Sequence, residues 1–167
     1  MKYPIIILVL SFLIFSNFSF SQDNSNLVSI TTSNDSLNYY LVKLKDVSES
    51  ISLVKIVSMR VSYIYLDGYV IKKDEINNIR KKILASYRNN VSFSSLVKKY
   101  TMDTAEEGDI GWFDEGMMVK IFEEEIKKHK KGDIFTVDIP ENKWYYVVLK
   151  TYDDKEKIKI NYKKNKS

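Results

Sequence analysis

Few side chains in this sequence could carry covalent chemistry, and none stands in a pattern that would. There is no cysteine, and the one histidine, His129, sits among Lys127, Lys128, Lys130 and Lys131. That setting reads as solvated surface, not as a proton shuttle. Glu123, Glu124 and Glu125 supply carboxylates, but consecutive helical positions diverge in direction and cannot close on one atom. They read as a solvated face. Ser94 and Ser95 have no histidine in any recognisable relation to them, which leaves hydrolase chemistry without support. Thiol nucleophiles and cysteine metal sites are excluded. What remains is apolar. The stretch EEGDIGWFDEGMMVKIFEEE, Glu106 to Glu125, holds three of the chain's five glycines, one of its two tryptophans and two of its five methionines. Glycines let the chain turn sharply on both sides of a short strand. Met118 and Phe122 stand one helical turn apart and face the same way. Alone, such a stripe reads as core; it is also the one candidate for a pocket that acts by contact and shape.

The elements that must position this stretch follow from residue periodicity. Met59 to Gly68 is rich in β-branched and aromatic residues and ends in Asp67-Gly68, which predicts a strand and a turn. Ile76, Ile79, Ile83 and Tyr87 recur at helical spacing after Asp74, a candidate N-cap. Ser92 to Thr101 predicts a second helix with Phe93, Leu96, Val97 and Tyr100 on one face and Ser92 or Ser94 as cap. Asp109 to Phe113 suits a brief strand. Met117 to Lys128 is predicted helical, with Met118, Ile121, Phe122 and Ile126 inward, and Gly132 follows it. Ile134 to Ile139 and Trp144 to Tyr152 are strands joined by a turn at Pro140. The order predicts an α+β domain, a small and mainly antiparallel four-stranded sheet with helices packed against it.

Outside this block, Lys2, the apolar run Ile5 to Phe15 and the small residues Ser19 and Ser21 predict an export signal over residues 1–21, cleaved before Gln22. The apolar run is shorter than the ~20 residues of a spanning helix, so no stable membrane span is expected after cleavage. Residues 22–58 read as an extension, polar to Ser36 and with a strand-like segment at 38–47; residues 59–154 form the domain. Much of the net charge of +4 lies in residues 155–167, read as a solvated, frayed tail; nucleic acid is not expected as a partner. Without cysteine an exported fold must be held by packing alone. The location expected is periplasmic or extracellular.

Between Met59 and Thr151 the motifs fall in an order that resembles the parvulin-type peptidyl-prolyl isomerases. The resemblance is carried by Phe93 and Leu96; by Tyr100, Thr101 and Asp103; and by Gly108-Asp109-Ile110-Gly111-Trp112-Phe113. It continues through Gly116, Met118, Phe122 and Glu123, then Lys131-Gly132-Asp133, then Tyr145 to Val148, with Ser62 to Leu66 as the opening strand. The resemblance implies that Ile110, Phe113, Met118 and Phe122 hold a proline ring, and that Asp103, Tyr63 and Tyr146 supply polar contacts. Trp112 and Ile121 are left to packing. The family usually places histidines at the positions of Tyr63 and Tyr146, and two glycines where this chain has Glu107-Gly108. Its Ser or Thr before the last strand falls at Glu141 or a neighbour.

The implied reaction breaks no covalent bond. Its barrier is ~20 kcal/mol because rotation interrupts amide resonance. A catalyst needs only to bind the twisted amide better than either planar form. No cofactor or metal is required, and the substrates implied are extended, proline-containing segments of unfolded polypeptides. Two other readings stay open at this point. One is a peptide-binding or chaperone module without turnover; the other is a structural subunit docking through a strand at Tyr39 to Leu44.

Overall fold

A computed structural model describes residues 27–45, 48–104 and 107–164. The expected signal at 1–21 and the start of the polar linker lie outside these residues. In chain order the elements are β1 (Leu27–Thr32), a 3-10 turn (Asn34–Ser36), α1 (Leu37–Lys45), β2 (Ser48–Asp67), α2 (Lys73–Arg88) and α3 (Phe93–Tyr100). There follow β3 (Asp109–Asp114), α4 (Lys120–Lys127), β4 (Ile134–Ile139), a 3-10 turn (Pro140–Asn142), β5 (Trp144–Lys150) and β6 (Lys155–Lys164). The class is α+β. The sheet is antiparallel with six strands in the order β1-β6-β2-β5-β4, and β3 pairs with β2 off that path.

Alternation along β2 divides the core between the two faces of the sheet. Met59, Val61 and Tyr63 join Tyr146 and Val148 of β5, and α4 covers them with Phe122 and Ile126. Ile64 and Leu66 join Tyr145 and Val147 on the other face, covered by α2 and α3 through Ile76, Ile83, Phe93, Leu96 and Val97. Because both faces are buried, this half of β2 reads as a continuous apolar run. A third cluster sets Leu44 of α1 on Ile158, Ile160 and Tyr162 of β6.

Several expectations are corrected here. Of the segment 38–47 expected as a strand, the described residues 38–45 are helix: Leu37, Tyr40, Leu41 and Leu44 recur at helical spacing, and burial on β6 makes that period decisive. A structural subunit docking through a strand at Tyr39 to Leu44 therefore loses its basis. The basic tail is strand β6 as far as Lys164, with Ile158, Ile160 and Tyr162 buried and lysines alternating between them. With β1 and β6 added, the sheet has six strands, not four. The strand expected from Met59 begins at Ser48, so the boundary placed at 58/59 falls inside one continuous strand. Helix α2 has its N-cap at Lys72, two residues ahead of the expected Asp74, which instead lies in the first turn beside Glu75. Ser92 caps α3 as expected, accepting from the Ser95 amide at 3.3 Å.

One buried charge ties α2 to the sheet. The Arg80 guanidinium donates to the Asp138 carboxylate at 2.5 Å, to the Val137 carbonyl at 2.8 Å and to the Tyr146 carbonyl at 2.9 Å. A lysine ammonium is a point charge and cannot reproduce this fork. Arg80→Lys should therefore cost about 2–4 kcal/mol, read as a lower urea midpoint, because buried carbonyls lose their donor. An unchanged midpoint would show that the fork contributes little.

Candidate functional site

Strand register brings the phenols together. Tyr65 lies directly opposite Tyr146, and Tyr63 is opposite Val148, so all three tyrosines project from the same face. The Tyr63 and Tyr146 rings meet edge to face at 5.6 Å, and Tyr65 is 5.4 Å from Tyr146. Phe122, on the inward side of α4, stands 5.2 Å from Tyr146. Phe113 of β3 completes the buried floor, while Ile110 and Met118 pack against it half-buried. The Tyr63 hydroxyl donates to the Asp103 carboxylate. Asp103 is held by a loop laced to β2: the Tyr65 amide donates to Thr101 Oγ1 at 3.1 Å, and the Met102 amide to the Tyr65 carbonyl at 2.9 Å. All seven residues expected at the site thus lie in one cluster.

The same geometry sets its depth. Tyr63, Phe113, Phe122 and Tyr146 are 1%, 2%, 3% and 4% exposed, so their rings fill the floor. Ile110, Met118, Tyr65 and Asp103 are half-buried and form the accessible rim above that floor.

A family profile described as the PPIC-type PPIase domain matches residues 39–155. The chain belongs to that family. It is 33% identical over 97 residues to the foldase protein PrsA of Geobacillus kaustophilus, covering 56% of this chain and 33% of that protein. It is 36% identical over 81 residues to a putative peptidyl-prolyl cis-trans isomerase, Cbf2, of Campylobacter jejuni, covering 47% of this chain and 29% of that one. The matches thus span about a third of the length of these curated relatives. Among solved structures, the peptidylprolyl isomerase PrsA of Bacillus anthracis aligns with a TM-score of 0.47 and 25% identity, over 72% of this chain and 50% of that one.

Two residues of this PPIC-type domain escaped the sequence reading. Tyr65 was legible as the next residue on Tyr63's face in Ser62-Tyr63-Ile64-Tyr65-Leu66, through the strand period of two. Glu123 is the other. It does not belong to a solvated face: it is 5% exposed, and its carboxylate accepts from the Gly116 and Met118 amides at 3.0 and 2.8 Å. An acid in the first turn of α4 was the available signal, since helix N-termini favour negative charge. It fixes the turn that presents Met118. Ile121, expected inward, is 42% exposed. His129 is half-buried, stacked on Phe135 at 3.6 Å, so it is not simple surface.

Burial, then the Asp103 hydrogen bond, raises the Tyr63 hydroxyl well above the usual phenol range. Burial, then the charges of Tyr65 and Asp103, raises Tyr146 likewise. Tyr65 is pushed up to about 12 by burial and then by Asp67. All three therefore remain protonated donors across the neutral range. Their raised values favour the folded state fully below the unfolded phenol value near ~10, and that stability is lost as pH rises through the folded values. At the acid end, Asp109 is held low by the Arg60 hydrogen bond. Burial pulls Asp138 upward, but hydrogen bonds from Lys73 and Arg80 outweigh it and leave it lowered. Their contribution is present above ~4 and lost as pH falls through the depressed values. Urea midpoints should accordingly form a plateau from about pH 5 to 9 and fall on both sides; a midpoint still rising from pH 8 to 11 would contradict it.

Proposed function

We propose that this domain binds extended, proline-containing segments of non-native polypeptides and speeds cis/trans exchange of their X-Pro bonds. The observation that carries this reading is the half-buried apolar rim of Met118 and Ile110 beside Tyr146 and Phe122, with the half-buried Asp103 at its edge. The ring rests on the apolar rim, and Tyr65, Tyr63 and Asp103 place polar groups near the rotating carbonyl. In such a surrounding the twisted amide is favoured over its planar forms without a covalent step. The isomerase unit in this reading lies within the matched residues 39–155, no cofactor takes part, and residues 1–21 direct export to the periplasm or the exterior. No helix among the described residues is long and apolar enough to cross a membrane. The family and the foldase and isomerase relatives support this assignment.

A second reading is favoured by one specific feature. The Tyr63 hydroxyl is buried and already committed to Asp103, which suits a module that binds proline segments with little turnover. Exchange spectroscopy on a short X-Pro peptide separates the two. Uncatalysed exchange takes ~10–100 s, and the isomerase reading requires exchange cross-peaks at sub-second mixing times with catalytic amounts of protein. Peptide binding with unchanged exchange assigns the domain to the binding module instead.

A further inference from the structure

Strand β2 is 20 residues long, and its two halves have different surroundings. From Ser58 to Ser62 it is paired on both sides, by β3 on one edge and by β6 and then β5 on the other. Over Ser50 to Ile56 it pairs with β6 alone, and no described strand takes the opposite edge. Ile51 and Leu53 stay 36% and 48% exposed on this stretch. With Leu41 and Lys45 of α1 they line a groove of about 450 Å³. An unpaired edge with apolar side chains is a template for another strand. We infer that the Ser50–Ile56 edge of β2 and the Leu41/Leu53 groove form a second docking site, which takes an extended polypeptide carrying alternate apolar residues followed by an acidic one.

Three observations choose this occupant. Ile51, Leu53 and Lys55 alternate on one face, so an added strand places every second side chain over apolar, apolar and then cationic surface. Lys45 and Lys55 form no ion pair with a described carboxylate. That charge complements an acidic guest and disfavours a second copy, whose own Lys55 would meet the same lysines. Finally, the free edge leads to the candidate site. The Glu115 amide, at the end of β3, donates to the Val57 carbonyl at 2.8 Å, and the turn it opens carries Met118. A chain added at Ser50 to Ile56 is therefore collinear with β3 and is delivered to the rim where Met118 sits. This site rests on the reading of the domain's substrate as an extended polypeptide.

The test uses the full chain and two proline-free peptides, acetyl-Thr-Val-Thr-Leu-Thr-Glu-Thr-amide and its counterpart with lysine in place of glutamate. The glutamate peptide should bind and slow amide exchange at alternate positions of Ser50 to Ile56, and the lysine peptide should bind at least tenfold more weakly. Leu53→Ser, at an exposed position, should weaken binding at least tenfold, with unchanged melting and unchanged exchange of a short X-Pro peptide. Equal binding of the two peptides, absence of binding, or wild-type affinity in Leu53→Ser overturns the site. So does slow exchange of these amides before peptide is added, which would mean that another part of the chain or a second copy already occupies the edge. Loss of X-Pro catalysis in the wild-type chain with peptide binding intact would overturn the isomerase reading and leave this site standing.

Discussion

Gly108→Ala should lower stability by about 3–5 kcal/mol, a large part of what a domain of this size possesses. Gly108 has φ +67, a left-handed conformation that a side chain adopts only with strain. A Cβ there would collide with the Tyr63 carbonyl oxygen and lie 2.9 Å from Val97 Cγ2. Retreat is blocked, because the Tyr63 amide donates to the Gly108 carbonyl at 2.9 Å. Gly116→Ala is the control: its φ is +90, but nothing lies within 4 Å of the added atom, so only the backbone term of about 1 kcal/mol applies. Urea titration of the two variants checks the contrast. Equal losses would mean that close approach to β2 is not what requires glycine at 108. The family resemblance implied a second glycine before Gly108, and Glu107 stands there exposed. The contact demands only one.

Phe122→Ala is the second large effect. The ring is 3% exposed and sits 5.2 Å from Tyr146 within the cluster that includes Tyr63 and Phe113. Deleting it removes buried apolar surface and leaves a void that its aromatic neighbours fill only in part, at a cost of about 3–5 kcal/mol. A melting point lower by about 10 °C or more would follow. Affinity for a proline peptide should fall as well, since α4 carries the ring directly behind the rim. Met118→Ala separates the two roles. Met118 is half-buried, so its loss should leave stability within about 2 kcal/mol while peptide affinity still drops. If both variants fold and bind peptide as the wild type does, the pocket assignment is wrong.

From Met59 to Thr151 the sequence was legible because each segment buries a face and its spacing shows it. Phe93, Leu96 and Val97 mark α3, and the alternation of Tyr63 and Tyr146 with apolar neighbours marks the central pair of strands. The seven candidate site residues came instead from the family resemblance, and the structure gathers them in one cluster. What failed was composition used without tertiary context. Tyr39, Tyr40 and Val42 look strand-like, yet α1 forms because its Leu37–Leu44 stripe meets β6. The lysines of β6 suggested solvent, although Ile160 between them is wholly buried. Glu123 was misplaced because three consecutive carboxylates signal solvent until two amides are known to face one of them. Tyr65 was passed over because the family pattern drew attention to Tyr63 alone.

The length of β2 has a mechanical consequence. One strand of twenty residues extends about 65 Å if straight, and it carries Leu53 near one end and the phenols near the other. Its hydrogen bonds to β6 and then to β3 and β5 leave no loop between the two halves that could act as a joint. Relative movement of the halves must break ladder bonds or bend the strand as a beam. A load applied at Ser50 is therefore transmitted along the backbone to Tyr63 as tension, and the two regions yield together.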